Sequence, residues 1–173
     1  MSSIPFDLRQ IRAFVLDMDG VVSATVSPVD PSGMPMRTVN VKDGYAMQYA
    51  VKQGFMLAVI SGGESLAMRY RFENLGVQHI YMRAKDKVAR LEELIEATGI
   101  PAEAMAYIGD DVPDVPVMRR VGLAVAPADA VPEVKAVAHY ISPYDGGYGV
   151  VRDLIEQTMK AQDCWGDSEG FGW

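Results

Sequence analysis

The chain has 173 residues, 49% of them hydrophobic, which suits one domain of ordinary size with a single core. Its formal net charge of -7 suggests no nucleic-acid partner, because binding to a phosphate backbone needs a basic face. The one cysteine, Cys164, excludes an intrachain disulfide and a multi-cysteine zinc site. The sequence has no membrane-length apolar stretch and no signal-like start, so the expected location is the cytoplasm, with no membrane partner.

Short apolar runs recur along the chain, and acids, glycine or proline end the clearest ones. In chain order these clear runs are residues 13–16, 55–60, 105–108 and 123–126, with weaker candidates at 79–82 and 140–141. Continuous apolar runs are typical of strands that are buried on both faces of a parallel sheet. We therefore predict a parallel sheet built from these segments.

Helical patterns lie between the apolar runs, at residues 43–53, 65–75, 87–98 and 150–161. Asp43 is expected to cap the first helix, and Gly54 and Gly99 are expected to end the first and third. Strands that alternate with helices predict an α/β fold with a doubly wound, Rossmann-like parallel sheet.

Residues 22–41 break this alternation, because they contain three prolines and a turn-like sequence around Gly33. We expect residues 22–26 and 37–41 to pair as a β-hairpin flap that stands over the ends of the strands. Residues 162–173 form a C-terminal tail rich in glycine, acids and aromatic residues. The predicted organisation is one domain over residues 1–173 that carries this flap and this tail, with no separate cap domain.

Polar side chains follow three of the predicted strands. They are Asp17 and Asp19 after the first, Ser61 after the second, and Asp110, Asp111 and Asp114 after a later one. Ligands of doubly wound sheets bind beyond the carboxyl ends of the strands, so these side chains are expected to meet. Crowded carboxylates repel one another unless a cation lies between them, and hard oxygen ligands indicate Mg²⁺. Lys87 is expected to bring a fixed positive charge, with Lys85 as the alternative.

This arrangement resembles the haloacid dehalogenase (HAD) superfamily of phosphatases. The matching elements, in order, are Asp17-Met18-Asp19-Gly20, Ser61, Lys87 and Gly109-Asp110-Asp111 followed by Asp114. The resemblance implies that Asp17 forms an aspartyl-phosphate, that Asp19 is the general acid and base, and that Ser61 and Lys87 hold the phosphate. It also implies a Mg²⁺ ion held by Asp17, Asp110 and the backbone carbonyl of Asp19. Asp111 and Asp114 would then support the metal shell.

Residues 40–45, 109–114 and 146–152 narrow the resemblance to the 3-deoxy-D-manno-octulosonate 8-phosphate (KDO 8-phosphate) phosphatases, a subfamily without a cap domain. The resemblance implies that the substrate is a small phosphorylated sugar acid. It implies hydrolysis of KDO 8-phosphate to KDO and inorganic phosphate in lipopolysaccharide precursor synthesis. It also implies a homotetramer in which neighbouring subunits cover each other's active site.

The same resemblance supplies candidates for substrate binding. They are Asn40, Lys42, Asp43, Gly44, Gly62, Gly63, Arg71 and Lys87. Arg71 matches a substrate-contacting arginine and is expected to bind the sugar carboxylate. Gly63 departs from the pattern, because many relatives have an arginine there. The missing cation leaves KDN 9-phosphate, or another phosphosugar, as an alternative substrate.

Two other functional classes remain as alternatives. A phosphoreceiver signalling domain also uses strand-end carboxylates, a Ser or Thr and a Lys, but its acidic pair comes first, whereas Asp110 and Asp111 come late. A catalytically silent HAD-type assembly domain would be expected to have lost an acid, and none of the core set is missing. Structural roles are also open for Ser61, as a helix cap, and for Lys87, as a solvated helix residue.

Overall fold

The computed structural model describes residues 3–166, and its centre is a six-stranded parallel sheet. The strands are β1 (Ala13–Leu16), β2 (Met56–Ile60), β3 (His79–Tyr81), β4 (Met105–Ile108), β5 (Leu123–Ala126) and β6 (Tyr140–Ile141). Their order across the sheet is β3-β2-β1-β4-β5-β6, so β1 lies between β2 and β4, where the order of the strands reverses. The predicted doubly wound α/β fold is confirmed.

Helices cover both faces of this sheet. They are α1 (Val41–Lys52), α2 (Leu66–Asn74), α3 (Lys87–Thr98), α4 (Val115–Met118), α5 (Pro132–Lys135) and α6 (Val150–Ala161). Helices α1, α2 and α6 pack on one face, and α3, α4 and α5 pack on the other. Successive side chains of a strand point to opposite faces, so Phe14 and Leu16 contact the first layer and Val15 the second. Burial on both faces explains why the strands are uninterrupted apolar runs.

Polar caps and one glycine set the ends of the helices beside the site. The side chains of Ser65 and Asp86 accept backbone N–H groups in the first turns of α2 and α3. Gly99 ends α3 in the left-handed conformation, with φ at 69°. The cap at Asp86 fixes Lys87 as the first residue of α3, at the edge of the sheet where β1 also ends.

The expected cap of the first helix was wrong. Asn40, rather than Asp43, accepts the first N–H groups of α1, which begins at Val41. Asp43 lies inside α1, and its Oδ1 accepts the N–H of Arg152 at 2.9 Å. This bond caps the start of α6, whose own N-cap is Gly149 and has no side chain for the purpose. Burial raises the pKa of Asp43 to about 6, although the N–H groups of Arg152 and Gly149 oppose that shift.

Residues 22–41 form a flap beside the strand ends, but its arms are not paired as the predicted hairpin. Within residues 3–166 the flap contains one antiparallel bridge, between Val29 and Pro35. Prolines at three positions remove N–H donors that a ladder needs. Thr38 joins the arms instead: its hydroxyl accepts the N–H of Ala24 at 2.9 Å, and its N–H donates to Ser23 Oγ at 2.9 Å.

The glycine-rich loop before α6 packs tightly on the base of the flap. A Cβ atom on Gly146 would lie 1.8 Å from the carbonyl oxygen of Gly20, so only glycine fits this close approach. Asp129 ties the two segments together, because its carboxylate accepts the N–H of Gly146 at 2.9 Å and the hydroxyl of Thr25 at 3.0 Å. The loop and the flap base therefore form one packed unit.

The C-terminal tail is described as far as Gly166. Trp165 packs edge-on against Tyr49 with ring centroids 5.4 Å apart, and the Arg152 guanidinium lies 5.3 Å from the Trp165 ring. Residues 167–173, which belong to the predicted tail, lie outside the described residues. Among residues 3–166, every helix is too short or too polar to cross a membrane.

Candidate active site

The carboxyl ends of β1, β2 and β4 border a cavity of about 780 Å³. Every residue predicted to be catalytic, metal-binding or supporting lines this cavity. They are Asp17, Asp19, Ser61, Lys87, Asp110, Asp111 and Asp114. The sequence order scatters these residues along the chain, and the reversal of strand order beside β1 brings them together.

A buried ion-pair network lies at the base of the cavity. Asp17, directly after β1, is 6% exposed. The Nζ atom of Lys87 lies 2.9 Å from Asp17 Oδ1 and 2.7 Å from Asp114 Oδ1. Lys85 lines the same cavity but is exposed. Lys87 is thus the lysine that contacts the carboxylates, and it is not a solvated helix residue.

Asp114 is the hub of this network. Its Oδ1 also accepts the hydroxyl of Tyr107 at 2.6 Å, and its Oδ2 accepts the N–H groups of Asp110 at 3.0 Å and Asp111 at 3.3 Å. These contacts fix the loop after β4 and orient Lys87. Sequence reasoning missed Tyr107, although a hydroxyl inside a fully buried strand is a signal, since it needs a hydrogen-bond partner.

The acids in the cavity exceed the positive charge available to them. Burial raises the pKa of Asp17 to about 7; the charge of Asp114 adds to this shift and Lys87 opposes it. The pKa of Asp110 rises to about 8, first through burial and then through the charges of Asp17 and Asp114. Burial lowers the pKa of Lys87, but the two carboxylates beside it outweigh that effect and raise it. A further cation would relieve this imbalance.

The donor atoms fit a divalent metal ion. Carboxylate oxygens of Asp17, Asp110 and Asp114 all lie within 4.8 Å of one another. Asp110 Oδ1 is buried and has no hydrogen-bond partner, a costly state that an ion would remove. Hard oxygen donors of this kind suit Mg²⁺. The cavity therefore holds an acidic cluster that suits Mg²⁺. Asp17 and Asp110 belong both to this cluster and to the predicted ligand set, whereas Asp114 was expected only to support the metal shell.

Asp19 lies at the mouth of the cavity and faces the flap. Its carboxylate is 46% exposed and accepts from Arg37 in a two-pronged ion pair, with Nε–Oδ1 at 2.9 Å and Nη2–Oδ2 at 3.0 Å. Sequence reasoning missed Arg37, because no periodicity reports where an irregular segment such as the flap runs.

Ser61 follows β2 and points into the cavity. It is 1% exposed, and its Oγ accepts the N–H of Gly63 at 3.1 Å. The cap of α2 is Ser65, so Ser61 does not serve as the cap of that helix. Gly62 and Gly63 line the cavity beside it.

The structure places the remaining substrate-binding candidates elsewhere. Asn40 and Lys42 line a second cavity of about 590 Å³, at the start of α6. Asp43 is buried and caps α6. Gly44 packs against Arg71, whose Nη2 would lie 2.5 Å from a Cβ at that position. Arg71 is thus at the contact between α1 and α2 and is not among the residues that line the main cavity.

Comparison with known proteins places this site in a family. A model of the haloacid dehalogenase-like hydrolases matches residues 74–154. The 3-deoxy-D-manno-octulosonate 8-phosphate phosphatase of Yersinia pestis is 37% identical over 88% of this chain and 82% of its own length. The enzyme of the same name from Escherichia coli K12 is 35% identical over 94% and 86%.

Solved structures agree with this assignment. That of the Moraxella catarrhalis 3-deoxy-D-manno-octulosonate 8-phosphate phosphatase, in complex with magnesium, phosphate and KDO, has a TM-score of 0.86 and 32% identity, covering 91% of this chain and 90% of its own. The cobalt-bound phosphatase from Haemophilus influenzae has a TM-score of 0.89 and 28% identity, covering 95% and 98%. This chain therefore belongs to the haloacid dehalogenase-like hydrolases, in the family of the 3-deoxy-D-manno-octulosonate 8-phosphate phosphatases.

Proposed function

We propose that this protein hydrolyses KDO 8-phosphate to KDO and inorganic phosphate through an aspartyl-phosphate on Asp17. The observation that carries the proposal is the buried pair of Asp17 and Lys87, 2.9 Å apart, beside Asp110 in a cavity open to a substrate. The names of the relatives support the sugar acid as substrate. The reaction would serve lipopolysaccharide precursor synthesis in the cytoplasm.

The first chemical step is in-line attack. A carboxylate oxygen of Asp17 forms a bond to phosphorus while the bond between phosphorus and the sugar oxygen breaks. Asp19, at the mouth of the cavity, gives its proton to the departing sugar oxygen. Lys87 and Ser61 hold the non-bridging oxygens, because both reach the cavity from the ends of neighbouring elements.

In the second step Asp19, now ionised, takes a proton from a water molecule that attacks the phosphorus of the aspartyl-phosphate. Inorganic phosphate leaves, and the carboxylate of Asp17 is restored. General acid and base catalysis supplies about 10²–10⁴ of the rate enhancement, while uncatalysed hydrolysis of phosphate monoesters is among the slowest reactions known. Positioning and charge compensation must therefore supply most of the acceleration.

Asp17, Asp110 and the backbone carbonyl of Asp19 are the proposed Mg²⁺ ligands. The ion would supply the positive charge that lets an anionic nucleophile approach a phosphate dianion. Asp114 has both oxygens engaged by Lys87, Tyr107 and backbone N–H groups, so we assign it, with Asp111, to orienting this shell. The proposal keeps Gly62, Gly63 and Lys87 at the substrate, and Asn40, Lys42, Asp43, Gly44 and Arg71 as candidates for sugar recognition.

The direct test is a comparison of kcat/KM for purified protein with KDO 8-phosphate, KDN 9-phosphate and a panel of common sugar phosphates. We expect KDO 8-phosphate to be preferred. KDN 9-phosphate is the second candidate, because Gly63 leaves the loop after β2 without the expected arginine. The Asp17→Asn variant serves as the control for contaminating phosphatases. A preference for a neutral sugar phosphate would contradict the assignment of the substrate.

We further propose a homotetramer in which the flaps pack between subunits. Apolar side chains on the flap support it, since Val26 is 86% exposed and Met36 is 54% exposed. Exposed apolar groups concentrated on one segment mark an interaction surface. Helix α6 belongs to the core, where Leu154 and Ile155 are fully buried. A truncation that tests whether the C-terminal tail covers the active site of a neighbouring subunit must therefore leave α6 in place and remove residues 167–173 alone.

A further inference from the structure

Arg37 reaches from the flap to the mouth of the active site and is almost buried there. Its side chain is 7% exposed, and two of its nitrogens donate to the two oxygens of Asp19. Its third nitrogen, Nη1, donates to the carbonyl oxygen of Glu64 at 2.9 Å. Each of the three nitrogens of the guanidinium thus donates to the protein.

Arg37 is not among the residues that line the main cavity, whereas Asp19 is. The guanidinium is therefore not placed to contact a substrate in that cavity. The influence of Arg37 on the reaction would pass through Asp19, whose carboxylate is otherwise 46% exposed. A half-exposed carboxylate without a partner samples several orientations, whereas a two-pronged guanidinium pair fixes one.

Gly63 leaves the space that this guanidinium occupies. A Cβ atom at position 63 would lie 2.7 Å from Arg37 Nη2 and 2.8 Å from Asp19 Oδ2, closer than real Cβ contacts. Gly63 is not one of the glycines with a positive φ angle, so its backbone conformation does not call for glycine. Both atoms are the ends of flexible side chains, so a Cβ atom at position 63 would displace the Arg37–Asp19 pair rather than the backbone.

We propose that Arg37 is a positioning residue that orients Asp19 for proton transfer, and that Gly63 is the residue that makes room for it. The proposal rests on the proposed function, in which Asp19 moves the proton. A carboxylate has about four lone-pair sites, and the guanidinium uses two of them. The other two stay available, first to the proton delivered to the leaving oxygen and then to the attacking water.

The test is a set of substitutions assayed with p-nitrophenyl phosphate, which carries no sugar. Arg37→Ala should lower kcat by about 10- to 100-fold, because misplacing a catalytic group costs rates of this order, and KM should change by no more than about twofold. Added guanidinium chloride at low millimolar concentration should restore part of the kcat of Arg37→Ala. It should leave the kcat of Asp19→Asn unchanged.

Arg83→Gln is the matched control. Arg83 is an exposed arginine that pairs with the Glu64 side chain near the same loop, and it does not touch Asp19. This variant should keep the activity of the unmodified protein. An unchanged kcat in Arg37→Ala, a rise in KM alone, or a loss that guanidinium does not restore would each overturn the role of Arg37.

The link to Gly63 is tested by a double-mutant cycle. Gly63→Ala should lower kcat and the melting temperature in the unmodified chain, and it should do so less in the Arg37→Ala background, where Nη2 is absent. Equal effects in both backgrounds would disprove the link. Measuring the melting temperature requires no turnover. This part of the experiment therefore still tests the link between Gly63 and Arg37 if the protein proves inactive on KDO 8-phosphate, the result that would refute the proposed function.

Discussion

The base of the active site and its mouth are built in different ways. At the base, four side chains are buried and joined by hydrogen bonds and ion pairs: Asp17 after β1, Lys87 at the start of α3, Asp114 after β4 and Tyr107 within β4. At the mouth, Asp19 depends on one arginine from a segment that has a single bridge of its own. The base is fixed by the sheet, and the mouth is fixed by contacts that a few substitutions can change. We therefore expect substitutions at the base to have larger effects on turnover than substitutions at the mouth.

The largest effect is expected at the base. Asp17→Asn should abolish phosphate release, because an amide is a poor nucleophile and removes one charge from the metal site. The fold should survive, since the side chain keeps its shape, and circular dichroism checks this. Asp145→Asn changes an exposed loop carboxylate in the same chemical way and should be as active as the unmodified protein. Activity near normal in Asp17→Asn would reject Asp17 as the nucleophile.

Lys87→Met should be next in size. The change leaves three acids around one point with no cation from the protein, so the folded state should lose about 3 kcal/mol, typical of breaking a buried ion pair. Turnover should fall by about 10²-fold or more, as when a charge-stabilising group is removed from other enzymes. Lys85→Met, in the same cavity but exposed, is the control and should change both quantities little. Similar losses in the two variants would contradict the assignment of Lys87, rather than Lys85, as the lysine that compensates the buried acids.

Metal removal gives a third test, with a defined dependence on pH. In the metal-free protein the pKa values of Asp17 and Asp110 are raised from 3.8 to about 7 and about 8. The folded state then binds more protons than the unfolded state, so its stability falls as pH rises through that window. Mg²⁺ binds ionised carboxylates and should therefore raise the melting temperature more at about pH 8 than at about pH 5.5.

Two further results are expected alongside the melting temperatures. Chelation should stop turnover, and added Mg²⁺ should restore it. Asp110→Asn should lose most of the difference between the two pH values, because it removes the carboxyl whose pKa is raised to about 8 and the negative charge that Mg²⁺ would bind. A melting temperature that responds equally to Mg²⁺ at both pH values would show that these carboxyls do not titrate as described.

The smallest effect on chemistry is expected from the surface of the flap. Met36→Asp should break the proposed tetramer, because it places a charge on the apolar interface, and light scattering would report the mass. Turnover of p-nitrophenyl phosphate should change by less than about threefold, while kcat/KM for KDO 8-phosphate should fall more, since only the larger substrate would use a neighbour's surface. Tyr70→Asp, an exposed position on α2, is the control. A fully active monomer of the unmodified chain would refute the assembly.

Most of the sheet and the base of the site could be predicted from the sequence, because both follow from local patterns. Asp17 and Ser61 each stand directly after an apolar run, and Asp110 is separated from its run by Gly109 alone. The carboxyl ends of parallel strands meet at one edge of the sheet. The flap could not be predicted in the same way. Its prolines forbid the ladder that its turn-like sequence suggested, and its path depends on side-chain bonds such as Ser23 to Thr38.

Helix caps show the same limit. The sequence places an acid, Asp43, where an N-cap would suit the apolar pattern of α1, and local rules cannot report that it serves a different helix. The predicted contact of Arg71 with substrate likewise depends on which face of α2 points to the cavity. Its packing against Gly44 is a tertiary contact that spacing along the chain does not encode.

The bond from Asp43 to Arg152 spans 109 positions of the chain, which has a consequence for how the protein folds. Helix α6 begins after Gly149, which offers no side chain to cap it, so its first turn gains its side-chain partner only after α1 is in place. Closing so large a loop is slow, because its entropy cost precedes the contacts that reward it. We expect α6 to order late during refolding, and hydrogen exchange at its first turn to report directly on the integrity of α1.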